Sequence, residues 1–216
     1  MTKNWIPTGY ADPDPYVVND RWIMIIGLVL ILPVFMLVRP SLIEGASIFS
    51  TLIITLGDTT NLIQIPLLYV FSTVLIILSW IFISGAIIVT LHEGVHYTIS
   101  AIQGLNPKFQ WSSHLGLKNP SIVAYTERIR RRENMLMLLG PFAVLTPFCA
   151  AAMWFTSGFI SATAAIMFSV NTVASCADLY NFVQITMMPK GTLFANFNDD
   201  GNLHSEFATP LEKESA

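Results

Sequence analysis

The sequence predicts an all-α membrane protein, with four transmembrane helices and a small cytoplasmic β-hairpin between the second and the third. Three observations predict this fold class: an apolar composition, four long apolar segments, and an uneven distribution of lysine and arginine. Of the 216 residues, 53% are hydrophobic and 12% are charged, whereas a soluble domain has about 25% charged residues. The expected partner is therefore a lipid bilayer. A net charge of -3 offers no basic surface, so nucleic acid is not an expected partner.

Four apolar segments are candidates for transmembrane helices: residues 22–38, 66–91, 135–155 and 158–187. A bilayer core about 30 Å thick needs about 20 apolar residues of helix. The first segment is short and is interrupted by Pro33, whereas the second has no charged residue. Residues 39–65 have an apolar middle that is too short and too interrupted to span. We expect them to be interfacial or packed on the bundle.

The distribution of lysine and arginine predicts the orientation in the cell membrane. Loop 97–134 contains six of the eleven basic residues, whereas residues 39–65 contain one. Because cytoplasmic loops are enriched in these residues, we expect loop 97–134 to be cytoplasmic. Four spans then place both termini in the cytoplasm, with residues 1–21 as an N-terminal segment and residues 188–216 as a tail. The expected organisation is one multi-pass integral membrane domain, residues 1–216.

A short β-hairpin is expected within the cytoplasmic loop. The sequence alternates from Lys108 to Trp111, continues through turn-forming residues, and has a second β-prone run from Ile122 to Tyr125. An irregular loop is an equally good interpretation of this stretch. The edge of such a hairpin would hold an extended peptide by strand addition, in which case replacing Trp111 would raise KM.

Two histidines flank a glutamate at the end of the second apolar segment, in "VTLHEGVHYTISAI", residues 89–102. On a helix, His92 and His96 lie about 40° apart on one face and one turn apart along the axis. Two neutral imidazoles in this arrangement can bind one zinc ion, while Glu93 is placed to act on a water rather than to join the ligands. The alternative is a pair of interfacial histidines that reach the lipid headgroups.

Zinc needs a third protein ligand, and Asp178 is the best candidate. It is the single charged residue of the fourth segment, and it forms a polar stripe with Asn171 and Ser175 at spacing i, i+4 and i+7. A polar stripe in a membrane helix faces the protein interior. Helix rise places Asp178 about 30 Å from Gly158, at the cytoplasmic end where His92 is also expected. The alternative partner of Asp178 is a basic group in the loop.

Several other side chains are weaker candidates for a metal ligand. His114 lies in the expected turn of the hairpin and is the second choice, although a loop histidine is more often simply solvated. Glu127 and Glu133 lie among arginines, where solvated ion pairs are expected. His204 belongs to the tail, where "NFNDDGNLHSEF" lacks the final glutamate of a calcium-binding EF-hand loop.

Four stretches of the chain resemble a bacterial family of membrane zincin peptidases that was first described as a domain of unknown function. They are the histidine motif, "GLNPKF", "RIRRRENMLMLLGP" and "SCADLYNF", within about residues 85–200. This family is distantly similar to site-2 proteases, which combine a membrane histidine motif with a later aspartate. The resemblance implies that His92, His96 and Asp178 bind zinc and that Glu93 is the general base. Ala177 stands where the family often has glycine, and the proline-containing motif that site-2 proteases have around the aspartate is absent from the sequence.

The predicted function is a zinc-dependent membrane metallopeptidase that hydrolyses a peptide bond near the cytoplasmic membrane surface. Its substrate would be a peptide or a membrane protein, with Asn171, Ser175 and Asn181 near the ligands or the substrate. Two alternatives are a non-catalytic zinc-binding scaffold or sensor, and a transporter that uses the same residues as an ion relay. A structural zinc site normally has four protein ligands, so three identified ligands favour catalysis. The sequence leaves open the oligomeric state and the choice of zinc over another divalent metal.

Overall fold

The computed structural model describes residues 5–60, 66–114, 117–125, 128–199 and 202–211. Within these ranges, only the backbone is described for residues 53, 56–60, 66–69, 112–114, 117–119, 198–199 and 202–203. The described part is mostly helical. Its long helices are α1 (Asp20–Thr60), α2 (Pro66–Ile102), α3 (Arg131–Phe155) and α4 (Gly158–Met187). Its strands are β1 (Asp14–Pro15), β2 (Pro107–His114), β3 (Leu117–Ala124), β4 (Ile129–Arg130), β5 (Leu193–Asp199) and β6 (Asn202–Ala208).

All four long helices are long and apolar enough to cross a membrane. Large apolar side chains cover their outer surfaces; Phe82 is 76% exposed, Phe148 71% and Trp154 78%. Soluble proteins rarely expose apolar surface on this scale. The four helices therefore indicate a multi-pass membrane protein, and the prediction of four long apolar helices is confirmed.

Helix α1 is much longer than the sequence predicted. It continues through Pro33 and Pro40 to Thr60, over 41 residues, whereas residues 22–38 were expected to form the helix and residues 39–65 a non-spanning segment. Several hydroxyl groups of this segment bond to the helix itself. Ser50 and Thr51 donate to the Ser47 carbonyl at 2.8 and 3.0 Å. Because such hydroxyls bond to the preceding turn, they do not have to end a helix.

Helices α2 and α3 also extend beyond their predicted bounds, whereas α4 matches residues 158–187. Helix α2 continues from residue 91 to Ile102, so the histidine motif is helical throughout. Helix α3 begins at Arg131 rather than at residue 135. Its first turn is capped by Glu133, whose carboxylate accepts a hydrogen bond from the Arg130 N–H at 2.8 Å.

The chain divides into two compact units, and each of the four helices contributes residues to both. The helical unit comprises Gly27–His92 and Phe142–Ala174. The sheet unit comprises the described parts of Met1–Ile26, Glu93–Pro141 and Ser175–Ala216.

The helical unit is held together by close helix packing and an aromatic cluster. The ring centroid of Trp80 lies 4.7 Å from that of Phe49 and 5.2 Å from that of Phe159. A Cβ atom added to Gly45 would lie 2.3 Å from the Cβ of Ala162, so only glycine allows this approach of α1 to α4. This packing fixes the first turns of α4, the helix that also contains Asn171.

The sheet unit contains a four-stranded antiparallel sheet in the order β1-β6-β5-β4. Residues 188–216 were predicted to be a tail, but they supply β5 and β6, and the fold is therefore mostly helical rather than all-α. Asp199 pairs with Asn202 around an Asp-Gly dipeptide, which is a hairpin signal. One hydrophobic core cluster of this unit consists of Leu105, Ala124, Ile129, Met137, Ile185 and Phe194.

Strands β2 and β3 form the expected hairpin after α2. Phe109 pairs with Ile122 and Trp111 with Pro120 in an antiparallel register. The strands occupy residues 107–114 and 117–124, which is longer than the two predicted runs. The hairpin itself is confirmed, while its cytoplasmic location stays a prediction.

Candidate metal centre

His92 and His96 lie on one face of α2, one turn apart. Both are buried, with exposed fractions of 4% and 7%. An imidazole in such a setting needs hydrogen-bond partners, because a buried polar group without one is costly. The partners found for the two rings determine which nitrogen each ring presents to a metal.

His92 is oriented by a side-chain amide of α4. Its Nδ1 lies 3.0 Å from Oδ1 of Asn171, a residue that is only 1% exposed. The amide nitrogen of Asn171 donates to Oγ1 of Thr146 at 3.0 Å, so its oxygen is the group that faces the ring. Because this oxygen can only accept, Nδ1 of His92 is the donor and Nε2 is the nitrogen with the lone pair.

His96 is oriented by a main-chain carbonyl. Its Nδ1 lies 2.9 Å from the carbonyl oxygen of Met137 in α3, which makes Nδ1 the donor here as well. Its Nε2 lies 3.3 Å from Oδ2 of Asp178. Both histidines therefore have an acceptor on Nδ1, the arrangement in which metal-binding histidines are commonly held.

Asp178 completes a three-residue group with the two histidines. One potential ligand atom from each of His92, His96 and Asp178 lies within 4.8 Å of the others. The structure thus brings together the three residues predicted to bind zinc, and their action as ligands stays a prediction. Asp178 contacts His96, with its Oδ2 3.3 Å from the ring Nε2.

The donor set of this group fits a zinc ion. Two imidazoles and one carboxylate are common zinc ligands, and three protein ligands leave a coordination position open, as in catalytic zinc sites. Because Nδ1 of each ring is directed to an acceptor, Nε2 is the nitrogen available to a metal. The centre thus has the ligand types, the number and the support that zinc requires.

Glu93 is next to His92 in the sequence but is not one of the three residues of this group. Its side chain is half-buried, and its Oε2 accepts a hydrogen bond from the main-chain N–H of Ile122 in β3 at 2.7 Å. The carboxylate is therefore anchored to the hairpin. The sequence predicted that Glu93 would not join the metal ligands, but its main-chain partner could not have been identified from residue types.

The weaker candidates are placed elsewhere or are not described. Glu133 caps α3, and the exposed His204 stacks on Phe197 with ring centroids 5.3 Å apart. The backbone of His114 belongs to β2, but its side chain lies outside the described part. Glu127 lies outside the described residues altogether.

The side chains flanking Asp178 on α4 differ in their partners. Asn181 accepts a hydrogen bond from the Tyr16 hydroxyl at 3.1 Å, so it tethers the N-terminal segment. Burial, followed by the nearby Tyr180, raises the pKa of Tyr16 to about 12, and the hydroxyl stays protonated. Ser175 is fully buried. The sequence identified both α4 residues, but it gave no sign of Tyr16 or of Thr146, which supports Asn171.

Comparison with known proteins identifies the family. A family model described as "Putative zincin peptidase" matches residues 85–193, which is just over half of the chain and includes His92, His96 and Asp178. No curated protein and no solved structure matches the chain. The distant similarity to site-2 proteases therefore stays an expectation from the sequence. The chain belongs to the zincin peptidase family that this model describes.

Proposed function

We propose that the protein is a zinc-dependent membrane metallopeptidase in which His92, His96 and Asp178 hold the metal and Glu93 is the general base. The observation that carries this proposal is the approach of the three potential ligands to within 4.8 Å of one another. Membership of a zincin peptidase family and four membrane-compatible helices support it. The reaction is hydrolysis of a peptide bond.

Each residue of the centre has a role that follows from its contacts. Asn171 and the Met137 carbonyl hold the two imidazoles by Nδ1, so each ring presents Nε2 to the ion. A bound zinc ion supplies Lewis acidity to the scissile carbonyl and to water. Glu93 takes a proton from the attacking water and gives a proton to the leaving amine. The buried surroundings of the histidines limit access of bulk water.

The substrate we propose is an extended peptide or a segment of a membrane protein. Strand addition to the hairpin, which the sequence suggested, is constrained by two contacts on the outer edge of β3. The Ile122 N–H is bonded to Glu93, and the Ala124 carbonyl accepts from Asn196 at 3.0 Å. The outer edge of β2, with Phe109 and Trp111, is therefore the better candidate for a substrate strand.

We further propose that the centre lies near the cytoplasmic surface of the cell membrane, with both termini in the cytoplasm. The support is the basic loop between α2 and α3, together with the even number of membrane-compatible helices. A reporter that is active only in the cytoplasm, fused after residue 216, should be active. An active periplasmic reporter at the same position would reverse the orientation and move the centre to the opposite surface.

The test of function compares bound metal and cleavage in matched variants. Wild type, Glu93→Gln and Asp178→Ala are reconstituted in lipid nanodiscs and incubated with a pool of internally quenched peptides. Glu93→Gln should keep zinc and lose cleavage, because an amide cannot accept the proton of the water. Asp178→Ala should lose zinc and cleavage together. Metal content is measured by mass spectrometry of the purified protein.

Glu133→Gln is the matched control, because glutamine can still accept the hydrogen bond from Arg130 that caps α3. This variant should keep both zinc and cleavage. If Glu93→Gln cleaves as fast as the wild type, Glu93 is not the base. If the wild type binds zinc but cleaves no peptide, the non-catalytic scaffold or sensor becomes the better description.

A further inference from the structure

The contact between Glu93 and β3 links the predicted base to a main-chain group. The Ile122 N–H donates to Oε2 of Glu93 at 2.7 Å, a short distance that is typical of a hydrogen bond to a charged acceptor. The two residues are 29 positions apart, in a helix and in a strand. The hairpin therefore has a direct connection to the chemistry proposed for the site.

The pairing of β2 with β3 explains why this N–H is available to Glu93. In an antiparallel pair, hydrogen-bonded and non-hydrogen-bonded positions alternate. The Tyr125 N–H donates across to the Asn106 carbonyl at 3.0 Å, so the odd-numbered residues of this strand face its partner. Pro120, which has no N–H, occupies an even-numbered position. Ile122 is the next even-numbered residue, and its N–H points away from β2.

We propose that the Ile122 main-chain N–H is a positioning group for Glu93, which makes the hairpin a working part of the catalytic site. A free glutamate side chain samples several rotamers, and fixing it before the reaction removes that entropy cost from the catalytic step. A carboxylate has room for several hydrogen bonds, so one oxygen can be held by the amide while the group still accepts from water. This inference rests on the proposed function, because it assumes that Glu93 is the base.

Amide hydrogen exchange tests the contact without any substrate. In protein labelled with 15N-isoleucine, Ile122→Val identifies the Ile122 resonance by its disappearance. Exchange at Ile122 should be about 10- to 100-fold faster in Glu93→Ala than in the wild type, the range for losing one hydrogen bond to a charged acceptor. Glu93→Gln retains an acceptor oxygen and should stay slow. Equal exchange rates in all three proteins would overturn the proposal.

Cleavage of the quenched peptide pool tests the positioning role. Ile122→Pro removes the N–H from a position that makes no ladder bond to β2, as Pro120 already does, whereas Ile122→Val keeps it. Ile122→Pro should lower kcat by about 10- to 100-fold with KM and zinc content unchanged, as expected for a misplaced catalytic group. The loss of kcat should be about 10-fold or more larger in Ile122→Pro than in Ile122→Val, which keeps the N–H. A change in KM alone would overturn the proposal, because the hairpin would then bind substrate rather than orient the base.

A second variant covers the case in which Ile122→Pro does not fold. Glu93→Asp shortens the side chain by one methylene, so it keeps a carboxylate but withdraws it from Ile122. It should show the fast amide exchange of Glu93→Ala together with a reduced kcat. An unchanged kcat in Glu93→Asp would overturn the positioning role while leaving the proposed function standing. Absence of cleavage by the wild type would remove the proposed function and the positioning role together, whatever the exchange rates.

Discussion

His92 and His96 are one turn apart on the same helix and are both held by Nδ1, yet their partners are of different kinds. His92 depends on the side chain of Asn171, which in turn bonds to Thr146. His96 depends on the main-chain carbonyl of Met137. A side-chain support can be removed by a substitution, whereas a main-chain support is retained for as long as α3 keeps its path. The difference predicts which residues around the centre tolerate change.

The largest effect is expected from removing either imidazole, and it should be the same for both. His92→Ala and His96→Ala each leave two of the three proposed ligands, which is too few to hold zinc through purification. Zinc content, measured by mass spectrometry, should fall to background in both variants. His204→Ala is the control, because this exposed histidine stacks on Phe197, and it should keep its zinc. A full equivalent of zinc in either α2 variant would contradict the three-residue centre.

The next largest effect, on zinc affinity, should distinguish the side-chain support of His92 from the main-chain support of His96. Asn171→Leu removes the acceptor for His92 with little change in volume, and zinc affinity should fall by about 10- to 100-fold. Met137→Leu leaves the carbonyl that holds His96, so zinc affinity should be unchanged. Affinity is measured by titration with a competing chelator.

The Met137→Leu control has its own expected signature. Ser100 Oγ donates to the sulfur of Met137 at 2.9 Å, and leucine cannot accept this bond. The unfolding temperature should therefore fall slightly while zinc affinity stays the same. Equal losses of affinity in Asn171→Leu and Met137→Leu would show that the two histidines are not supported in different ways.

The difference between side-chain and main-chain supports also explains how much of the site the sequence could predict. His92, His96 and Asp178 were identified because ligand chemistry restricts residue type and spacing. Asn171 was noticed because a polar residue stands out in an apolar helix. The carbonyl of Met137 and the N–H of Ile122 belong to every residue alike. They become visible only when the fold brings them to a histidine or a glutamate.

The fold was predictable where local patterns decide it. Apolar length identified α2, α3 and α4, and alternation identified the hairpin of β2 and β3. The extent of α1 was missed because serine and threonine were counted as interruptions, although Ser50 and Thr51 bond back to Ser47. In the sheet of β1, β6, β5 and β4, the pairs β1–β6 and β4–β5 were missed because they join residues that are far apart in sequence. The β5–β6 hairpin had a local signal, the Asp-Gly dipeptide, but this stretch was compared only with a calcium-binding loop.

A smaller effect on zinc affinity is expected from Thr146, which bonds to Asn171 rather than to a histidine. Thr146→Val removes the hydroxyl that accepts from the Asn171 amide, while its shape is nearly unchanged. The amide can then rotate, so His92 is held less firmly. Zinc affinity should fall by less than in Asn171→Leu, and by at most about tenfold, the equivalent of one neutral hydrogen bond. A loss as large as that of Asn171→Leu would mean that Thr146 acts on the centre by another route.

The smallest effect on the metal is expected at the second asparagine of α4. Asn171 bonds to His92, but Asn181 bonds to Tyr16, so Tyr16→Phe should leave zinc affinity unchanged and act on stability instead.

The effect of Tyr16 on stability should depend on pH. Burial and Tyr180 raise the pKa of Tyr16 from 10.0 to about 12, so the folded state holds this proton more tightly than the unfolded chain. The resulting contribution of Tyr16 to the stability of the folded state is complete below pH 10 and is lost as the pH rises through about 12. Chemical unfolding in detergent at pH 9, 10, 11 and 12 should therefore show a shallower alkaline loss of stability for Tyr16→Phe than for the wild type. Parallel curves would show that Tyr16 ionises equally in both states, and a change in zinc affinity would show that the tether of the N-terminal segment reaches the metal centre after all.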